Sequence, residues 1–228
     1  MTELFESVFG GGMGAQYAEA AWVTVYVTLL GTIISYIIGI PIGVLLYITD
    51  KGGIAPNPVL NKVIGVIVNI LRSVPFVILL VMTQPIAKLI VGSKIGNAAF
   101  IVYLTIAAAP FVSRMIESSL KEVDSGIIEA AQSMGSSNFQ IICKVLVPEA
   151  KPSLLVGGAI AVTTILGYTP MTYLISGGGL GSMSILYGLY RFNDTIMYVS
   201  SILLVIIVQI IQEFGMRFAK STDKRIRK

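Results

Sequence analysis

Apolar residues fill this chain in long unbroken runs, and polar residues collect in the short segments between them. The run from Ala20 to Thr49 carries no charge and exceeds the roughly 20 residues a helix needs to cross a bilayer. Ile95 to Ser113 and Thr195 to Gln212 are two further clean runs. Pro152 to Tyr190 is also uncharged but too long for one helix, and the glycine-rich SGGGLGS at Ser176 to Ser182 divides it. A span before that break and a loop or short surface helix after it are expected. Val63 to Ala87 completes the pattern, although Arg72 interrupts it. The pattern predicts an all-α integral membrane protein with five transmembrane helices, at about 20–48, 63–87, 95–116, 153–175 and 195–216. No ten-residue alternation of the kind that marks a transmembrane β-barrel is present. The whole chain, 1–228, reads as one transmembrane domain with a polar loop at about 117–151 between the third and fourth spans.

Composition supports this class. Charged residues make up 12% of the chain, about half the ~25% of a soluble domain, and the mean hydropathy is +0.85. The net charge of +4 matters less than its placement. No Lys or Arg precedes Lys51, whereas the C-terminal end carries Arg217, Lys220, Lys224, Arg225, Arg227 and Lys228. Because basic flanks favour the cytoplasm, the N-terminus is expected outside and the C-terminus inside, which requires an odd number of spans. The same count puts the 117–151 loop, with Lys121, Lys144 and Lys151, in the cytoplasm. The start of the chain lacks a basic region, and its first apolar run is too long for a signal peptide core, so none is expected.

The polar loop carries unusually complete helix signals. Asp124 or Ser125 can cap a helix starting near Gly126, and Gly135 can end it in the left-handed conformation. Ser137 and Gln140 form a capping-box pattern for a second helix, which Pro148 is expected to end, with Pro152 in the first turn of the next span. Ile127, Ala130, Ala131 and Met134 recur at helical spacing and leave Glu129, Gln132 and Ser133 on another face. An amphipathic helix lying on the membrane surface satisfies this pattern; so does a helix built to enter a groove of a partner.

The spacing Glu129-Ala130-Ala131, Gly135, Val145, Pro148 resembles the cytoplasmic EAA loop of permease subunits of ATP-binding-cassette importers. Val147 stands where that family usually has Leu. Further stretches, GIPIGVLLYIT at 39–49, IVNILRSVPFVILLV at 67–81, AAPFVSRMIESSL at 108–120, LGYTPM at 166–171 and GGGLG at 177–181, look like the methionine-type permease. The resemblance implies a homodimer in the bacterial cytoplasmic membrane, working with two copies of a separate ATPase subunit and an extracytoplasmic solute-binding protein. It implies methionine as substrate, with glycine betaine or another small solute as the alternative. It also implies that Glu129, Ala130, Ala131, Gly135 and Pro148 couple the chain to the ATPase.

Candidate chemistry inside the spans is sparse. An Arg at the bilayer centre is costly, so Arg72 should face a cavity or partner, or snorkel from a membrane boundary. With Asn69, Ser73 and the helix-breaking Pro75 it forms one candidate element of a translocation path or gate. Thr163, Thr164, Tyr168 and Met171 form a second, while Gly157, Gly158 and Gly167 fit helix packing equally well. GGGLG lacks the spacing of a dinucleotide fingerprint and reads as an outer turn or a contact for the solute-binding protein. The chain has no P-loop motif, so ATP hydrolysis is expected on a partner and this subunit is not an enzyme. With no His, the single Cys143 and no membrane-depth acid, no metal, cofactor or nucleic-acid partner is expected, and a secondary transporter is the weaker rival class.

Overall fold

The computed structural model describes residues 12–222, so the basic residues Lys224, Arg225, Arg227 and Lys228 lie outside the described part. Helices account for nearly all of it, and no strand occurs among the described residues. In chain order these are α1 (Met13–Ile48), α2 (Pro58–Ser73), α3 (Phe76–Met82), α4 (Gln84–Val91) and α5 (Asn97–Lys121). Then follow α6 (Ser125–Ser133), α7 (Asn138–Ile141), α8 (Val147–Leu166), α9 (Leu180–Met183) and α10 (Asp194–Thr222). A π-helical stretch, Ile142–Leu146, joins α7 to α8; a 3₁₀ stretch, Thr169–Ile175, follows α8; and a second π stretch, Ser184–Leu189, extends α9.

Among the described residues, four helical segments are long and apolar enough to cross a membrane, or five where the bent pair α2–α3 is counted as one span. Two sequence expectations change here. The stretch 63–87 is not one continuous helix: it breaks between Ser73 and Phe76. Pro75 has no N–H to continue the helix, and its ring forces Val74 into an extended conformation, φ −79° and ψ 125°. Nor does Pro148 end the helix begun at Asn138. The chain stays helical from Asn138 to Ile175, because the π stretch widens the turn just upstream, where a proline ring would otherwise meet the carbonyl four residues back.

The chain forms two compact units, and the long helices contribute to both. The first comprises the chain up to Ile33, Phe76–Thr105 and Val162–Gln212. Its cluster of Tyr17, Leu180 and Met183 packs against Ala20, Ala21, Ile196, Val199 and Leu203. Along α1, Thr24, Thr28 and Thr32 each donate to the carbonyl four residues back, at 2.9, 2.7 and 2.8 Å. Those bonds satisfy hydroxyls that lipid could not.

The second unit comprises Ile34–Pro75, Ile106–Ala161 and the chain from Glu213. In it α1 and α5 approach closely along Gly39 and Gly43. A Cβ on Gly39 would lie 2.7 Å from Val112 Cγ1, and one on Gly43 would lie 2.6 Å from the Ser113 carbonyl. This is the small-xxx-small contact by which membrane helices gain packing energy without a hydrophobic drive. Gly157 packs the same way on Met115, whereas Gly167, past the end of α8, faces only its own preceding turn. The buried core of this unit, Val112, Ile116, Leu120, Val123, Ile128, Ala131, Ile141 and Leu146, runs from α5 directly into the polar loop. Exposed apolar residues of α10, among them Ile202, Val205, Ile206 and Ile210, suit contact with lipid.

Candidate functional site

The polar loop is built by local caps on a shared core. Asp124 caps α6, its Oδ1 accepting from the Gly126 N–H at 2.7 Å. At the other end the Gly135 N–H donates to Gln132 O at 2.9 Å and the Ser136 N–H to Ala131 O at 3.1 Å. This is a Schellman cap, and it requires the left-handed φ of +79° that Gly135 adopts. The predicted capping box is present: Ser137 N–H donates to Gln140 Oε1 at 2.9 Å, and Gln140 N–H to Ser137 Oγ at 3.3 Å. Two short helices are thus fixed end to end by capping bonds among their own residues.

The buried face of α6 differs from the periodic reading. Ile128 and Ala131 enter the core, while Ile127 and Ala130 lie on the surface with Glu129, and Met134 is 79% exposed. The core sits on the Ile128–Ala131 diagonal because the loop folds back onto Leu120, Val123, Ile141 and Leu146. Phe139, 74% exposed, adds an aromatic ring to the outer surface. So of the candidate coupling residues, Glu129, Ala130, Gly135 and Pro148 are exposed, and Ala131 supports them from behind. Cys143 is a free, exposed thiol.

Next to this loop lies an ion network that the sequence reading missed. Glu117 is 7% exposed and holds two cations: Arg114 Nη1 at 2.7 Å from Oε2, and Lys121 Nζ at 2.8 Å from Oε1. Lys121 reaches Asp50 Oδ2 at 3.1 Å, and Arg114 Nη2 donates to Asn69 Oδ1 at 3.0 Å and to the Gly65 carbonyl at 3.2 Å. A buried carboxylate is tolerated only when so paired. The network joins the end of α5 to the α1–α2 turn and to α2. The Lys51 backbone N–H, and then the Lys121 ammonium, hold the Asp50 carboxyl below the usual carboxylate range. A signal was available: Arg114, Glu117 and Lys121 stand at i, i+3 and i+7, the spacing of a charged helix face. Ending the third span at 116 hid it.

The candidate path residues divide between the units. Asn69 belongs to the ion network, and its carbonyl accepts from Ser73 Oγ at 2.8 Å. Arg72 is exposed in the last turn of α2, where the helix dipole favours a cation, and Pro75 makes the break. In the first unit, Thr163 and Thr164 are half-buried on α8, and Met171 is half-buried in the 3₁₀ stretch. Tyr168 stacks on Phe76 at 4.6 Å and 13°, and Phe76 meets Phe100 edge-on at 5.8 Å. No group of three or more His, Cys, Asp or Glu that could hold a metal ion occurs among the described residues.

The GGGLG turn is tied down from distant helices. Asn97 Oδ1 accepts from the Gly178 N–H at 2.8 Å, and its Nδ2 donates to Tyr26 Oη at 2.9 Å. Thr24 Oγ1 accepts from the Leu180 N–H at 2.9 Å, and Thr172 Oγ1 donates to Gly178 O at 2.8 Å. A cleft of about 450 Å³ opens between this turn and the Gln16–Val23 face of α1.

Residues 39–228 match the family described as the inner membrane component of binding-protein-dependent transport systems. The chain belongs to that family. As such a component it is a multi-pass inner-membrane transport subunit. It is 47% identical to the probable D-methionine transport system permease protein MetI of Vibrio cholerae, over 90% of this chain and 92% of that one. The methionine import system permease protein MetP of Bacillus subtilis is 40% identical, over 79% and 82%. Among solved structures, a chain of the MetNI methionine ABC transporter in inward-facing conformations superposes with a TM-score of 0.91 at 41% identity. That match covers 94% of this chain and 99% of the other. An amino acid ABC transporter, at 17% identity and a TM-score of 0.70, shares the fold. The matched family segment takes in the whole loop, the ion network and the GGGLG turn.

Proposed function

We propose that this chain is the permease subunit of an ATP-binding-cassette importer for methionine. It works as a homodimer with two copies of a separate ATPase subunit and an extracytoplasmic solute-binding protein. Residues 1–228 form one transmembrane domain with the N-terminus outside and the C-terminus inside. The observation that carries this reading is the α6–α7 loop, a doubly capped helical pair whose outer face presents Glu129, Ala130, Met134 and Phe139. Relatives at 40–47% identity are named for methionine transport, which favours that cargo.

In this mechanism the loop is the joint to the ATPase. Glu129 makes a charge-assisted hydrogen bond to a basic group of the ATPase, and Ala130 lets α6 sit deep in its groove. Ala131 holds α6 on the core behind it, Gly135 sets the turn, and Pro148 fixes the entry into α8. Closure of the ATPase pair on ATP moves α6 and α7 together, because their caps make them one rigid piece. Their shared core with α5 carries that movement into the spans and switches the permease between inward-open and outward-open states. Asn69, Arg72, Ser73 and Pro75 at the α2–α3 break, with Thr163, Thr164, Tyr168 and Met171, line or gate the path, since broken helices at membrane depth belong where they meet protein or water.

Reconstitution with the ATPase and binding protein tests the assignment. ATP-dependent uptake of labelled L- or D-methionine, exceeding uptake of glycine betaine, is the expected result. Uptake of glycine betaine without methionine would remove the substrate and keep the importer class.

A further inference from the structure

Within the second unit, a polar bridge joins two helices that are attached to the coupling loop very differently. Ile116 and Leu120 of α5 pack into one core with Ile128, Ala131, Ile141 and Leu146, so α5 and the loop share one packed body. Among the described residues α2 contributes nothing to that core, and of its 16 residues only Gly65 and Val68 are buried. The start of α2 is tied to α1, where Asn61 Nδ2 donates to Leu46 O at 2.7 Å and to Thr49 Oγ1 at 3.2 Å. Farther along, Arg114 supplies the side-chain hydrogen bonds that run from α5 to α2. It stands two turns before the end of α5, and its Nη2 donates to Gly65 O at 3.2 Å and to Asn69 Oδ1 at 3.0 Å. Those two acceptors lie one turn apart on the same face of α2.

A guanidinium suits this place for a geometric reason. Its Nη1 donates to Glu117 Oε2 at 2.7 Å, and the buried Glu117, held at its other oxygen by Lys121, fixes the fork on α5. Both N–H groups of Nη2 are then left for the two acceptors on α2. Gly65 permits the approach, since a Cβ there would lie 3.2 Å from Nη2. The single nitrogen of a lysine could not face Glu117 and α2 in this forked way. We propose that Arg114, set by Glu117, is the positioning residue that makes α2 follow α5, so that movement of the coupling loop reaches α2. The last turn of α2 carries Arg72 and Ser73, assigned above to the path or gate. Hydrogen-bond networks between rigid helices are a physical carrier of such coupling. Without the bridge, α2 would be free to hinge about its Asn61 end. The linkage rests on the reading of the loop as the joint to the ATPase.

The test uses the assembled importer in nanodiscs, with Cys143→Ser and one spin label in each copy of the chain. The label sits at the exposed Ser118 on α5 or at the exposed Ile70, beyond the bridge on α2. Each position reads one distance between the two copies, first without nucleotide and then with ATP trapped by vanadate. Both distances should shift on trapping when Arg114 is present. Arg114→Met should keep the Ser118 shift and cut the Ile70 shift to about half or less. Arg114→Met with Glu117→Gln, which avoids leaving a buried carboxylate on one cation, should do the same. Asn69→Leu removes one of the two bonds, leaves the ion pairs alone and should give an intermediate loss. An Ile70 shift untouched by these variants would overturn the proposal. So would loss of both shifts together, as a merely structural Arg114 would give, or an Ile70 distance that ignores ATP while Ser118 responds. Silence of both labels with Arg114 present would remove the loop as the joint, and the linkage with it. None of these distances depends on cargo, so a failure of methionine uptake would count against the substrate alone.

Discussion

The GGGLG turn and the α6–α7 loop are both irregular, polar and rich in small residues, yet they are held in opposite ways. Side chains far away in sequence, Thr24 on α1 and Asn97 on α5, bond the backbone of the turn, and Thr172 in the neighbouring 3₁₀ stretch adds a third bond. The loop is shaped by its own residues through an N-cap, a Schellman cap and a capping box, and its outer face carries exposed apolar side chains. A turn secured from several helices resists displacement. A self-capped helix pair can move as one piece, keeping its shape while its contacts change. The contrast teaches that caps set the loop's shape from within, while its shared core with α5 gives it its attachment to the spans.

The largest expected effect comes from breaking the turn. A Cβ on Gly181 would lie 2.5 Å from the Cα of Pro170, which is backbone and cannot swing away. Gly181→Val should therefore cost about 3 kcal/mol, read as a large fall in the thermal midpoint of the detergent-solubilised protein. An unchanged midpoint would mean that the turn is not a fixed element. Thr24→Val is subtler. It keeps the shape but leaves the buried Leu180 N–H without its acceptor, at a cost of about 1–3 kcal/mol.

The loop should answer differently. Gly135→Ala places a side chain at φ +79°, costing about 1–2 kcal/mol locally. Copurification of the ATPase should fall more than the thermal midpoint does. Glu129→Lys and Met134→Ala alter exposed side chains, so stability should stay within about 0.5 kcal/mol while ATPase binding and methionine uptake drop. Full transport by Glu129→Lys would remove Glu129 from the coupling joint.

The same contrast explains how much could be read from the sequence. Caps are local, and Asp124, Gly135, Ser137 and Gln140 sit within four residues of the groups they bond, so spacing alone revealed them. The all-helical class and most of the spans were legible because membrane-length apolar runs carry their own signal. The pins of the turn join residues 81 and 156 positions apart, and no local pattern encodes such pairs. The reach of the ion network from Arg114 to Asn69, 45 positions away, was hidden for the same reason, although its Arg114–Glu117–Lys121 face within α5 was legible in the spacing. Periodicity also misjudged α6. Four small or apolar positions at helical spacing said that one face was apolar, but not that the core would take Ile128 and leave Ile127 and Met134 outside.

The smallest expected effect is a pH dependence, and it asks whether the loop's neighbourhood is held by long-range contacts as the turn is. Asp50 lies outside the spans, in the turn after α1, and its carboxyl is held below the usual carboxylate range by the Lys51 N–H and then by Lys121. A carboxyl whose folded pKa lies below its unfolded one adds stability that is complete above the unfolded value, near about 4. That contribution is lost as pH falls through the folded value. Asp50→Asn should therefore lower the thermal midpoint slightly at pH 7, and the gap to wild type should close as the solution is made more acidic. Lys121→Met, which removes the more distant partner and leaves the Lys51 N–H in place, should narrow the gap only in part. A gap that does not change with pH would mean that Asp50 holds the α1–α2 turn through local hydrogen bonding alone, leaving the Arg114 contacts to Asn69 and Gly65 as the long-range charged tethers of the second unit.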